Sequence, residues 1–208
     1  GVAFAQQPAI QLRDLSGNLV SQAGVVVTAA IATGGGTLGG TTTATTGGTG
    51  LATFTNLAIT GTIGDRTLRF TAAGLTDVVS GTITITAGAA TQLTITTPPS
   101  ATAQSGVAFA QQPAIQLRDL SGNAVSQAGV VVTAAIATGG GTLGGTATAS
   151  TTASGLATFT NLSITGTIGQ RTLSFSATGL GTETSSAIDI TAGAATQLTI
   201  TTPPSTTA

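Results

Sequence analysis

AIQLRDLSGN, residues 9–18, alternates apolar Ile10 and Leu12 with polar Gln11 and Arg13, then breaks into Asp-Leu-Ser-Gly-Asn. A period of two is that of an extended strand with one buried face, and the Asp, Ser, Gly and Asn that follow are turn chemistry. The same ten residues return at 114–123. Working outward, Gly1–Asn18 recurs unchanged at Gly106–Asn123, and the chain repeats with a period of 105, with 19 of 103 aligned positions differing. A unit of that length is a whole small domain rather than a solenoid turn. Such close copies indicate a modular array.

The remaining segments of each copy carry the same two-residue period. Val25, Val27, Ala29 and Ile31 form one face of a run whose other face is Val26, Thr28, Ala30 and Ala32. Leu68 and Phe70 alternate with Thr67, Arg69 and Thr71; Ile83 and Ile85 lie between threonines, as do Leu93 and Ile95. Threonine, 46 residues in all, occupies the outward positions, where its branched Cβ favours extended backbone and its hydroxyl meets water. Turn signals at Leu15–Asn18, Gly34–Gly40, Gly47–Gly50, Gly61–Gly64 and Gly74 separate the runs. Six to eight short strands per copy, with no helical period, predict an all-β fold of tandem antiparallel β-sandwiches. Phe4, Phe54 and Phe70, with Phe109, Phe159 and Phe175, are the bulkiest core candidates.

GGGTLGG at Gly34–Gly40, repeated at Gly139–Gly145, spells G-x-G-x-x-G. A dinucleotide loop needs a helix directly after it and an acid about 20 residues on. Here β-branched residues and more glycine follow, and Asp65, the next acid, is replaced by Gln170 in the second copy. The stretch is therefore expected to be a tight connection around Leu38 between two strands.

Composition closes many functions. The chain has five arginines, no lysine, and six acids: Asp14, Asp65, Asp77, Asp119, Glu183 and Asp189. That is no basic footprint for nucleic acid or for an anionic membrane. Histidine, cysteine, methionine, tryptophan and tyrosine are absent, which removes thiol nucleophiles, disulfides, Cys/His zinc sites and a serine triad's imidazole. The longest apolar run, residues 23–32, is too short to span a bilayer as a helix. A glycosidase needs two facing carboxylates, and each copy offers one acid that the other shares. No catalytic residue, cofactor site or metal site is expected. Asp14 with Asn18, and Asp119 with Asn123, miss the calcium-loop order and fall short in oxygens, so each aspartate is expected to cap its own turn. Arg13 and Arg118 are expected to cover adjacent strand surface or to pair locally. Asn161-Leu-Ser163 is a sequon that the first copy lacks, having Asn56-Leu-Ala58, and reads as chance. Threonine-rich rows such as Thr41–Thr46 read as strand propensity ahead of glycan acceptors.

Ala9–Asn18, Val25–Leu38, Gly50–Leu57 and Gly64–Ala72 together resemble the bacterial immunoglobulin-like repeats of invasins, intimins and giant surface adhesins, and the second copy matches at the corresponding positions. The resemblance covers essentially the whole chain. It implies an immunoglobulin-like sandwich, an extracellular or cell-surface location, and a role as a spacer in a surface fibre or stalk; the alternative it leaves is an adhesin module that binds a glycan or receptor. The near absence of charge departs from those members that carry acidic, calcium-rigidified linkers. In such repeats a domain opens with a strand like Ala90–Pro99, which gives a sandwich at 1–88 lacking its opening strand, a complete one at 89–193, and at 194–208 an opening strand. Two accounts stand: the chain is two periods of a longer array, or the last strand is donated to the next molecule, with Leu198 and Ile200 entering its core and Thr199 and Thr201 facing out. The expected partners are copies of the chain itself, joined head to tail. Without an initiating methionine or a signal peptide the chain reads as a mature or excised segment. Pro98-Pro99 and Pro203-Pro204 are expected to stiffen the junctions and Ser100–Ser105 to be a short linker, giving a string of sandwiches with limited bending.

Overall fold

The computed structural model describes residues 1–205; residues 206–208, the end of the 194–208 segment, lie outside the described part. Two compact units emerge, one made of Gly1–Gln92 with Leu117–Val125, the other of Leu93–Gln116 with the residues from Ser126 onward. The described residues are all-β, in immunoglobulin-like antiparallel sandwiches.

The first repeat supplies β1 (Ala9–Gln11), β2 (Val26–Thr33), β3 (Thr37–Gly39), β4 (Thr43–Thr45), β5 (Leu51–Thr53), β6 (Ala58–Thr60), β7 (Gly64–Thr71), β8 (Val78–Val79) and β9 (Ile83–Ile85). Its sheets run β4-β2-β7-β8 with β9 also on β7, β1-β5, and β3-β6. Next come β10 (Gln92–Thr97), β11 (Thr102–Gln104), β12 (Ala114–Arg118), β13 (Val131–Thr138), β14 (Thr142–Gly144), β15 (Thr148–Ser150), β16 (Leu156–Thr158), β17 (Ser163–Thr165), β18 (Gly169–Ser176), β19 (Glu183–Thr184) and β20 (Ile188–Thr191). These form β11-β20-β18-β13-β15 with β19 on β18, β10-β12-β16, and β14-β17.

The alternating pattern places the core. In β2, Val27 and Ala29 are buried while Val26, Thr28 and Ala30 face outward. β2 and β7 pair antiparallel with Ala29 opposite Phe70 and Ile31 opposite Leu68, and a bulge follows Ile31. β13 and β18 reproduce that register and that bulge with Ala134, Phe175, Ile136 and Leu173. Val27, Ala29, Ala52, Phe54, Leu57, Ile59, Leu68 and Phe70 form one buried cluster. Each valine, leucine, isoleucine or phenylalanine among them contributes about 1.5–3 kcal/mol on burial.

Two expectations change. GGGTLGG is not one connection: Thr37–Gly39 is itself a strand, with Leu38 opposite Ile59. Gly36 and Gly40, at φ 99° and 88°, turn the chain on either side of it. A Cβ on Gly36 would lie 2.8 Å from the Thr60 carbonyl oxygen, and one on Gly40 would strike the Asn56 carbonyl. Glycine is present for backbone approach, and the nine strands of the first repeat exceed the six to eight expected for this reason. The linker Ser100–Ser105 likewise holds a strand. β11 pairs in parallel with β20, tied by the Asp189 N–H to the Ala101 carbonyl at 2.8 Å and the Ser105 N–H to the Thr191 carbonyl at 3.0 Å. The segment is uncharged and free of proline and glycine, which leaves nothing in it to resist pairing.

Candidate functional site

Asp14 folds its turn around its own carboxylate. Oδ1 accepts from the N–H groups of Ser16 at 2.9 Å and Asn18 at 2.8 Å, and Oδ2 accepts from Asn18 Nδ2 at 2.9 Å. Arg13 donates to the Gly17 carbonyl at 2.7 Å, closing the turn from the other side. The side-chain hydrogen bond from Asn18, aided by the N–H groups of the turn, holds the exposed Asp14 carboxyl below its ordinary value.

The second copy of this turn makes the same internal bonds, with Ser121 and Asn123 both at 2.9 Å from Asp119 Oδ1 and Asn123 Nδ2 at 2.9 Å from Oδ2. It makes three more. As part of the first compact unit, Asn123 donates from Nδ2 to the Gly61 carbonyl at 3.0 Å and accepts at Oδ1 from the Ile63 N–H at 3.0 Å. Asp119 Oδ2 also accepts from the Gly88 N–H at 2.9 Å. Burial raises the Asp119 carboxyl, but the bonds from the Asn123 side chain and from the N–H groups of Gly88, Asn123 and Ser121 outweigh it and leave it lowered. Asp119 and Asn123 are buried; Asp14 and Asn18, in identical sequence, are exposed.

A second contrast concerns strand edges. β12 has β10 on one side and β16 on the other, whereas β1 is paired only with β5. β20 lies between β18 and β11, whereas β9 pairs only with β7. Side chains follow: Ile115, Ile188 and Ile190 are 0%, 0% and 1% exposed, while the corresponding Ile10, Ile83 and Ile85 are half-buried. Phe109 is buried and Phe4 is not. Along the open edge of β1 runs a groove of about 680 Å³ lined by Ile10, Leu12, Val27, Phe70, Leu75 and Val78 among others. β10 carries Leu93, which is buried, and Ile95, which is half-buried.

Gln197–Thr202 repeats the sequence of β10, yet residues 192–205 form no strand here. Leu198 is fully exposed and Ile200 largely so, with Thr199 and Thr201 also at the surface. A strand needs a neighbouring edge to satisfy its N–H and C=O groups, and this segment has none beside it. The structure therefore does not gather Leu198, Thr199, Ile200 and Thr201 into a site within one chain.

Sequence reasoning passed over Arg66 and Arg171, which are buried. Each holds the loop before its strand: Arg66 Nη2 donates to the Thr62 carbonyl at 2.7 Å, and Arg171 Nη2 to the Thr167 carbonyl at 2.8 Å. Arg171 Nε also donates to the Gly140 carbonyl at 2.8 Å, while Arg66 Nε has no partner among the described residues. The signal was an R-T-L stretch after Thr-Ile-Gly at matching positions of both copies, where an alternating strand places an arginine on the buried face. Among the described residues no three acids approach closely enough to hold a metal ion. No helix of the described residues is long and apolar enough to cross a membrane.

The chain matches no protein-family model and no curated protein. Among solved structures it is similar to the adhesin InvE of Yersinia pseudotuberculosis, at 23% identity and a TM-score of 0.38, covering 88% of this chain and 53% of the adhesin. It is also similar to a glycosyl hydrolase family 2 member from Bacteroides cellulosilyticus, at 14% identity and a TM-score of 0.42, over 80% of this chain and 21% of the hydrolase. A biofilm-associated protein BSP domain is similar at 16% identity and a TM-score of 0.26, over 83% of this chain and 26% of that domain's chain. This chain thus spans about half the length of the adhesin structure and about a fifth of the hydrolase. At these TM-scores none of them assigns a role to it.

Proposed function

We propose that this chain is a structural repeat module of an extracellular bacterial fibre, stalk or filament, in which copies join head to tail by strand complementation. One observation carries the reading: isoleucines at matching positions are buried beside β10 and β11 in one unit and only half-buried in the other. The β1 edge offers unpaired backbone groups above an apolar groove, and such an edge is a template for a strand with alternating apolar side chains. The occupant is the Thr196–Thr202 segment of another copy, which carries β10's sequence. Leu198 takes the place that Leu93 holds and is the main anchor; Ile200, like Ile95, is half-covered; Thr199 and Thr201 face outward. The contact is heterologous and does not close on itself, so it propagates into a filament. Five arginines against six acids leave little charge repulsion to oppose it. The resemblance to adhesin repeats and the absence of cysteine support an extracellular site.

The test is deletion of residues 194–208. Sedimentation velocity and negative-stain microscopy should show linear polymers of the full chain and monomers of the truncated one. A synthetic peptide of residues 194–205 should cap the full chain and shorten its polymers. Equal polymers from the truncated chain, or a full chain that stays monomeric at high concentration, would overturn the reading.

A further inference from the structure

We propose that the Asp14–Asn18 turn is a docking site for a second copy of this chain, gripping that copy's backbone at Gly166–Ile168 and Gly193. The inference rests on the head-to-tail reading and adds a polar contact to the same junction.

The geometry of the contact is already present once in the molecule. Asn123 presents its amide as a peptide mimic, donating to the Gly61 carbonyl and accepting from the Ile63 N–H, while Asp119 takes the Gly88 N–H. Both halves of that arrangement recur without this contact between them. The Asp14–Asn18 turn has the sequence of Asp119–Asn123, and its internal bonds agree within 0.1 Å (2.9, 2.8 and 2.9 Å against 2.9, 2.9 and 2.9 Å). The receiving elements at one period's distance are Gly166-Thr167-Ile168 and Gly193, again identical in sequence. Arg171 holds the Thr167 carbonyl as Arg66 holds that of Thr62, so the receiving loop has the same guanidinium brace.

These groups are open to a partner. Among the described residues no hydrogen bond reaches the N–H of Ile168 or of Gly193, and the Ile168 side chain is 70% exposed. The Gly166 carbonyl accepts one bond, from Ser105 Oγ at 3.0 Å, which leaves its second lone pair. Asn18 Nδ2 then reaches Gly166 O, Asn18 Oδ1 takes the Ile168 N–H, and Asp14 Oδ2 takes the Gly193 N–H. Gly193 lies just ahead of the 196–202 segment, as Gly88 lies just ahead of β10, and Gly166–Ile168 join β17 to β18 as Gly61–Ile63 join β6 to β7. The copy that donates its strand therefore brings the receiving loop with it. Both sides are preformed, so little ordering entropy opposes the contact, and its orientation sets the angle between successive copies.

The test uses the full chain and compares wild type with Asn18→Ala. Loss of two hydrogen bonds should weaken polymerisation on the order of tenfold and broaden the junction angle in negative stain, with polymers still forming. Because Asn18 also braces its own turn, a second measurement is needed. The chain has no cysteine, so Asn18→Cys with Ile168→Cys should give an oxidant-dependent ladder of covalent multimers, and Asn18→Cys with the distant Thr43→Cys should not. Wild-type polymers together with an unchanged Asn18→Ala affinity and no ladder would overturn the turn contact and leave strand donation standing. A monomeric wild type would overturn both.

Discussion

Phe54 and Phe70 meet with ring centroids 5.3 Å apart and planes tilted by 56°, and Phe159 and Phe175 repeat the contact at 5.4 Å and 53°. The tilted arrangement suits the ring quadrupoles, and all four side chains are buried. Few other large side chains are available, so each sandwich is closed around one aromatic pair. Phe70→Ala should cost about 3–5 kcal/mol in the first unit, and Phe175→Ala a similar amount in the second. Thermal unfolding followed by calorimetry should show one unit melting early in each variant. A loss below about 1 kcal/mol would show that the core collapses into the gap.

Gly40 and Gly17 adopt nearly the same backbone, φ 88° and 85°, in different surroundings. Nothing lies near a Cβ built on Gly17, whereas one on Gly40 would collide with the Asn56 backbone. Gly17→Ala should cost about 1 kcal/mol, the strain of the left-handed region alone. Gly40→Ala should cost at least twice that, read from the urea midpoint. Equal losses would mean that the β3–β6 connection yields freely.

Arg171 makes one hydrogen bond more than Arg66, from Nε to the Gly140 carbonyl. Both are buried guanidinium groups bonded to loop carbonyls, which would lose a charged donor on truncation. Arg66→Ala should destabilise the chain by about 2–3 kcal/mol, and Arg171→Ala by roughly 1 kcal/mol more. Reversal of that order would sink the assignment.

Asp14 and Asp119 both have carboxyls lowered from the ordinary 3.8. The unfolded chain therefore binds protons first as pH falls, and the stability these groups contribute is complete above the unfolded value and lost as pH drops through the folded ones. Urea midpoints should be flat from pH 7 to 5 and fall by pH 3. Asp14→Asn with Asp119→Asn should be less stable at pH 7 and lose less on acidification. A fall already complete at pH 5 would contradict the assignment.

β1 and β9 each have one strand neighbour, whereas β12 and β20 have two. Hydrogen exchange of the monomeric chain should show the amides of Gln11 and Thr84, which face the open edges of β1 and β9, exchanging faster than those of Gln116 and Asp189. Polymerisation should erase the difference, since a paired edge is protected.

The sandwich and its strands were legible because period-two alternation is local: Val27, Ala29, Leu68 and Phe70 declare their buried face within a few residues. The Asp14 and Asp119 turns were legible for the same reason, an aspartate bonding to N–H groups two and four residues on. The strand within GGGTLGG was not, because glycine-rich sequence specifies positive φ without specifying what pairs between the turns. Arg66 and Arg171 were passed over because a charged residue in a threonine row reads as solvated until the loop carbonyls that surround it are known.

Sequence by itself therefore determined the repeat, the alternating faces and the turn chemistry, which are properties of neighbouring residues. Only the tertiary structure decided that Ile115 is covered and Ile10 half-open, and that Asn123 bonds to the Gly61–Ile63 loop while Asn18 bonds within its own turn. The residues in each pair are the same, and both pairs lie in Gly1–Asn18 and Gly106–Asn123, which are identical. Burial and edge pairing are set by what a distant segment lays against them, and no local stretch of sequence contains that information.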